Sequence, residues 1–301
     1  MGRASSGGRQ PPGPRRHRRE PARRDLPRSF HGQRGVGVEQ RSRVARTLQH
    51  PQRARADEMN ATAHRRLTLA IEISNPSTDP ASPGSVCIGE TPSGAPPTVL
   101  ATQHLAPRAR HDDALAPAIA GVLENAGAAP ADVARLAVSI GPGGFTALRI
   151  AAVTAKLFSE ATGAACVAVP TAAVAAWGPG LSGVFAVALA SKGESAWVAV
   201  YRRDGVNAPP TPLHEGSLCD AAAMCRLHAA TPLASIIADR FLPASFAAWA
   251  AENRVEIRPL VLRAEDCLRA AAGLPDVDPI VMAPLYPREP EAVSKWRELH
   301  G

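Results

Sequence analysis

The sequence predicts an α/β protein with two lobes, in which mixed sheets are flanked by helices. Apolar segments of strand length alternate with segments of helical period from residue 67 to residue 272. A glycine-rich turn at 141–144 joins an apolar strand to a helix. After residue 178 a hairpin and alternating helices and strands come again, which indicates a second lobe built on the same theme.

The first lobe is predicted over residues 67–177. Its strands are expected at 67–73, 86–88, 99–104, 136–140 and 165–169. A polar turn at 74–85 separates the first two. Three helices are expected: one over 113–126, capped by Asp112 or Asp113 and ended by Gly127, one from Thr146 to about residue 161, and a short one over 171–177.

The second lobe is predicted over residues 178–290, followed by a helical tail within 291–301. Its strands are expected at 184–190, 196–202, 234–238 and 255–261, the first two forming a hairpin. Its helices are expected at 220–228, 244–252 and 264–272.

Charge separates an N-terminal extension from the rest of the chain. Residues 1–66 hold 17 Arg, no Lys and 5 acidic residues, a net charge of +12, so the remainder of the +7 chain carries −5. The extension has no sustained hydrophobic period and is expected to be disordered. Three interpretations stay open for it: upstream sequence before a true start near Met59, a basic arm that binds RNA, or a transit peptide.

The other sequence features exclude several classes of protein. The five cysteines are scattered and form no Cys-x-x-Cys pair, which argues against a zinc site or a disulfide framework. The uncharged stretch at 161–191 is interrupted by Pro170 and by the Gly-Pro-Gly break at 178–180, so each piece is too short to cross a membrane. We expect a soluble, cytoplasmic protein without a resident metal.

The turn at 141–144 is the strongest motif. Glycines let the backbone approach a neighbour closely, and the free N–H groups of the following helix point at the turn. The residues alone allow either an anion-binding turn or a tightly packed corner between strand and helix.

Several motifs resemble the TsaB (YeaZ) family of the actin-like, ribonuclease H-like superfamily. The run Gly-Pro-Gly-Gly-Phe-Thr-Ala-Leu-Arg-Ile at 141–150 is similar to the family's Gly-Pro-Gly-Ser-Phe-Thr-Gly-Leu-Arg-Ile. The opening strand 69–74, His111 before a helix, and Val169-Pro170-Thr171 fit the same pattern. So does the tail with Pro-Leu-Tyr-Pro-Arg at 284–288 and Trp296. Glu72 stands where the family has Asp, and Gly144, Ala147 and Ala151 replace Ser, Gly and Gly.

The resemblance implies a non-catalytic scaffold in the synthesis of threonylcarbamoyladenosine beside the tRNA anticodon. The implied partners are the transferase TsaD and the ATPase TsaE, with tRNA reached indirectly through the complex. A homodimer in the absence of TsaD stays open, because small apolar helix faces often self-associate. ATP and metal would belong to the partner subunits. The metal-binding His-x-x-x-His pair of the catalytic relatives is missing, because Leu115 follows His111 by four residues. The chain has no plausible catalytic triad, so peptidase activity is not expected.

Two sets of candidate site residues follow from the motif and the resemblance. Contact with a nucleotide or with the turn itself is expected from Glu72, Gly141, Gly143, Gly144, Thr146 and Arg149. A partner interface on the two long helices is expected from Leu115, Ile119, Ala147, Leu148, Ala151, Ala155 and Phe158, whose small residues permit close helix approach. For Glu72 a magnesium–ATP role competes with capping of the hairpin. For Arg149 a phosphate contact competes with bracing the turn.

Two other functions stay open. A stand-alone actin-like ATPase or phosphotransferase would use Glu72 and the glycine turn. An RNA-binding protein would use the basic extension.

Overall fold

Two five-stranded sheets organise the chain, seen in a computed structural model that describes residues 67–74, 84–92, 94–106, 111–288 and 291–300. All of these belong to one compact unit, Asn60–Gly301. The predictions for residues 1–66 and for most of the turn at 74–85 lie outside the described residues.

The first sheet has the strand order β3-β2-β1-β4-β5. Its strands are β1 (Leu67–Glu72), β2 (Ser85–Glu90), β3 (Thr98–His104), β4 (Val133–Gly141) and β5 (Ala165–Pro170). Strands β1, β2 and β3 pair antiparallel in sequence order. Strand β4 pairs parallel with β1, and β5 pairs parallel with β4. The parallel pairing of β4 and β5 follows from their connection, since parallel strands need a long crossover and the helix Phe145–Thr162 provides it.

The second sheet has the order β10-β9-β6-β7-β8 and repeats the same arrangement. It comprises β6 (Gly183–Lys192), β7 (Ser195–Arg203), β8 (Thr211–Cys219), β9 (Ser235–Ala238) and β10 (Glu256–Pro259). Three antiparallel strands are again followed by two parallel ones. The predicted fold class, two mixed sheets flanked by helices, is confirmed.

The helices are α1 (His111–Asn125), α2 (Phe145–Thr162), α3 (Thr171–Ala176), α4 (Ala221–Ala230), α5 (Ala244–Glu252), α6 (Ala264–Ala271) and α7 (Glu291–His300). Helices α1 and α2 cover one face of the first sheet and share its core. Helix α6 packs on the other face, where Cys267 and Leu268 meet Ala70 and Cys87. Among the described helices, none has both the length and the apolar character that a membrane span requires.

Three sequence predictions need correction. Strand β8 was not predicted, because it is a half-exposed edge strand that contains Pro212 and a left-handed Gly216, and so lacks a continuous apolar run. Helix α1 begins at His111, so the cap predicted at Asp112 or Asp113 is wrong. Helix α2 begins one residue before Thr146, with the extended Gly144 as its N-cap.

Candidate functional site

The glycine turn lies where β4 ends and α2 begins, and the chain's own backbone fills the space around it. Gly141 has a left-handed φ of 110°. A Cβ at this position would lie 2.8 Å from the carbonyl oxygen of Leu285 and 2.9 Å from Leu148 Cδ1. The Leu285 N–H donates a 2.7 Å hydrogen bond to Ile140 O, so the segment around Leu285 is tied to the end of β4.

On its other side the turn packs against the backbone at the end of β1. A Cβ on Gly143 would lie 2.1 Å from Ser74 O. The Gly144 N–H donates to the same oxygen over 2.7 Å. One of the N–H groups that could have bound an anion is therefore used by Ser74, which favours the packed corner over the anion-binding turn.

Glu72 lies beneath this corner and is only 1% exposed. Its Oε1 accepts hydrogen bonds from Ser74 N at 2.7 Å and Ser74 Oγ at 2.6 Å. Its Oε2 has no hydrogen-bond partner among the described residues. Burial raises the pKa of the Glu72 carboxyl; the Ser74 bonds and the nearby Ser139 hydroxyl lower it in part, and the charge of Asp266 raises it further.

The surroundings of Glu72 do not fit a magnesium–ATP site. Magnesium needs near-octahedral oxygen ligands and keeps several waters, whereas Glu72 is buried and one of its oxygens is taken by Ser74. The nearby carboxylate of Asp266 is bound on both oxygens by Arg263 and Arg269. In the part of the chain that is described, no three His, Cys, Asp or Glu side chains are grouped to hold a metal ion. The hydrogen bonds support the interpretation of Glu72 as a cap of the hairpin.

Arg149 projects from the first turns of α2 and is held by two aromatic rings. Its guanidinium carbon lies 3.8 Å from the centre of the Phe145 ring, and its Nε donates to the Tyr286 hydroxyl over 3.4 Å. The Phe145 and Tyr286 rings are themselves 5.3 Å apart. This cluster ties α2 to the C-terminal segment, whereas the bracing interpretation expected Arg149 to hold the glycine turn itself. Thr146, beside it, is exposed.

The segment at 284–288 contributes contacts that the sequence analysis missed. Leu285 and Tyr286 touch the glycine turn and α2, while Arg288 Nη2 donates to Ser195 O at 3.1 Å and to Lys192 O at 3.3 Å in the β6–β7 hairpin. The segment thus bridges the first sheet and the second. The motif was visible in the sequence, but its position beside the turn depends on contacts more than 130 residues apart.

The residues predicted for a partner interface lie mainly in the chain's own core. Phe158 is half-buried, and the other six are buried beneath α1 and α2: Leu115, Ile119, Ala147, Leu148, Ala151 and Ala155. Their small and apolar side chains let the two helices pack closely on the first sheet. The structure therefore does not place these six on the surface, and a partner would have to meet other residues of these helices.

The outward face of α2 carries a different set of apolar side chains. Val153 is 54% exposed and Leu157 is 66% exposed, on the same side of the helix as Arg149 and Glu160. Lys156 Nζ donates to Ile280 O over 3.0 Å, which brings the exposed Ile280 beside this face. We call Arg149, Val153, Leu157 and Glu160 the α2 outer stripe.

Comparisons with known proteins place this site in a wider context. The family model described as TsaD, tRNA N6-adenosine threonylcarbamoyltransferase, matches residues 101–208, which include α1, the glycine turn and α2. A search of curated protein sequences finds no match.

Two solved structures are similar along their full length. One is described as an uncharacterized protein with similarity to peptidase YeaZ from Pseudomonas aeruginosa; it has a TM-score of 0.57 and 18% identity, and the match covers 74% of this chain and 100% of that one. The other is YeaZ from Pseudomonas aeruginosa, with a TM-score of 0.55, 19% identity, and coverage of 73% and 99%. The chain thus has the fold of YeaZ, and both comparisons support the resemblance found in the sequence.

Proposed function

We propose that this chain is a non-catalytic subunit in the synthesis of threonylcarbamoyladenosine in tRNA, and that it works by binding a TsaD-type transferase. The observation that carries the proposal is the YeaZ fold, which extends over about three quarters of the chain. The TsaD-family match over residues 101–208 adds the tRNA-modification context.

A non-catalytic role is supported by the close packing of the chain's own backbone around the glycine turn. Ser74 and Leu285 fill the two sides of the turn where a phosphate would approach, and Glu72 is buried beneath it. Asp266, whose charge acts on Glu72, is bound on both carboxylate oxygens by arginines. The chemistry of the reaction then falls to the partner, together with ATP and metal. In the same complex we expect TsaE to bind and tRNA to be reached through the partner.

The partner surface that we propose is the α2 outer stripe. Two exposed aliphatic side chains flanked by Arg149 and Glu160 give an apolar centre with a charged rim, as is typical of protein interfaces. Without the partner, the stripe could pair with its counterpart on a second copy. An arginine at Ala151 does not test this surface, because Ala151 is 1% exposed and the change would disrupt the core.

The test is co-expression of the full chain with the TsaD-type protein of the same organism, followed by size-exclusion chromatography. We expect a stable one-to-one complex. Leu157→Asp should weaken it at least about tenfold, because an interface leucine buries apolar area worth about 1.5–3 kcal/mol. Leu213→Asp is the matched control, since Leu213 is also exposed but lies on β8 of the second sheet. Failure of the unaltered chain to bind would overturn the proposal.

Two alternatives give different outcomes. A stand-alone ATPase would bind ATP in a magnesium-dependent way without a partner, which calorimetry on the isolated chain would detect. An RNA-binding protein led by residues 1–66 would bind tRNA with an affinity that falls steeply with salt. The +12 charge of that extension is the observation that keeps this second alternative open.

A further inference from the structure

A large cavity is lined by neither residues 141–144 of the glycine turn nor the α2 outer stripe, although Leu285, which packs against the turn, borders it. Its volume is about 1800 Å³, which exceeds what a small ligand needs. Four arginines from separate parts of the chain line it: Arg135, Arg203, Arg263 and Arg269. Among the described residues that line it, two are acidic, Asp276 and Glu215, so this part of the cavity wall carries more positive than negative charge.

Two of these arginines share a single buried carboxylate. Asp266 has no exposed surface, and its two oxygens accept from Arg263 Nε at 2.9 Å and from Arg269 Nη1 at 2.6 Å. One negative charge therefore faces two positive charges. Both guanidinium groups are partly exposed, and most of their N–H donors have no partner among the described residues.

Arg203 adds a third positive charge without a carboxylate partner among the described residues. Its side chain is buried, with 4% of the residue exposed, and it donates to the carbonyl oxygens of Trp177, Gly178, Val206 and Ala208. These carbonyls hold the guanidinium in place but do not cancel its charge. Burial lowers the pKa of Arg203, whereas the charge of Asp266 raises it.

The fourth arginine supplies a rigid wall. Arg135 pairs with Asp276 at 2.8 Å and also donates to Leu274 O, so its position is set by the end of α6. The pair is neutral as a unit. The excess positive charge in this region therefore comes from Arg203, Arg263 and Arg269, which together exceed the negative charges of Asp266 and Glu215 by one.

We propose that this cavity binds a phosphate monoester through Arg263 and Arg269. The cluster keeps a net positive charge that attracts a phosphate dianion, and guanidinium forks bind phosphate oxygens in a bidentate way. Asp266 limits the affinity for such an anion, because its carboxylate occupies one N–H donor of each guanidinium and cancels one positive charge. The site does not depend on the proposed scaffold function.

The experiment measures binding of inorganic phosphate and AMP to the full chain by calorimetry, with adenosine as the uncharged comparison. Arg269→Gln should weaken AMP binding at least about tenfold, because it removes one charge close to the ligand. Asp266→Asn should tighten binding severalfold, since it removes the competing carboxylate. A merely structural role for these residues predicts no tightening in the second variant.

Arg258→Gln is the matched control, because Arg258 is bonded to Gly180 O and does not line the cavity. The basic extension is present in every variant, so its own attraction for phosphate cancels in the comparison. Thermal unfolding without ligand identifies any variant that fails to fold, and Arg263→Gln then replaces Arg269→Gln with the same expected direction. Equal affinities in the unaltered chain, Arg269→Gln and Asp266→Asn would overturn the proposal. The proposal would also be overturned if a single-stranded RNA oligomer competed for the phosphate site as effectively as AMP does.

Discussion

Adding one methyl group at Gly143 tests whether the glycine turn is a packed corner. In Gly143→Ala the new Cβ would lie 2.1 Å from Ser74 O, whereas ordinary contacts begin at 3.4 Å. The oxygen cannot simply retreat, because Ser74 is buried and both its N–H and its hydroxyl are bonded to Glu72. The turn must therefore move by more than an ångström.

The cost of this movement has two parts. Overpacking in a dense region costs about 1–3 kcal/mol. Loss of the Gly144–Ser74 hydrogen bond adds about 0.5–1.5 kcal/mol. We expect the free energy of unfolding to fall by about 2–4 kcal/mol in total.

The assay is urea unfolding of the full chain, followed by circular dichroism. Gly273→Ala is the control, because a Cβ there meets nothing within 4 Å and its φ is not positive, so its effect should stay within about 0.5 kcal/mol. If the two variants unfold at the same urea concentration, Ser74 does not confine the turn and the packed-corner interpretation is wrong.

Three further predictions concern other parts of the chain. Burial raises the pKa of the Glu72 carboxyl above its ordinary 4.5, so the free energy of unfolding should fall as the pH rises from 4.5 through the raised pKa. In melting temperatures measured from pH 4 to 9, Glu72→Gln should flatten this fall. An unchanged slope would contradict the prediction. Asp220 caps α4 by accepting from Ala223 N at 2.8 Å, so Asp220→Ala should cost about 1 kcal/mol in urea unfolding, whereas no loss would show that the cap is not needed. Cys225 is exposed and the other four cysteines are buried, so one thiol per chain should react quickly with a disulfide reagent and four only after unfolding. Two rapidly reacting thiols per chain would show that a second cysteine is accessible.

The sequence was sufficient for most of the fold, because the signals that define it are local. Strand β1 and helix α2 are marked by their own periods; Gly163 marks the end of α2, and the start predicted at Thr146 is one residue late. The resemblance of residues 141–150 led to the fold that the structural comparison confirmed. Edge strand β8 escaped detection because half-exposed strands carry little hydrophobic pattern.

The candidate site was predictable only in part. The motif at 141–150 indicated which residues belong to the site, and it allowed two interpretations of the glycine turn: an anion-binding turn or a packed corner. Which of them held depended on Ser74 and Leu285, which approach the turn from opposite sides. The burial of Ala151 and the exposure of Leu157 were equally hidden, because α2 is apolar on more than one side and its period alone does not tell which side meets the sheet.

The sequence by itself thus determined the fold class, the order of the elements apart from edge strand β8, and the location of the turn, since each depends on neighbours within a few residues. Only the tertiary structure decided what fills the turn, which face of α2 stays outside, and which arginines share Asp266. These depend on contacts between residues far apart in the chain. Arg203 and Asp266, for example, come within electrostatic reach only once both sheets have formed.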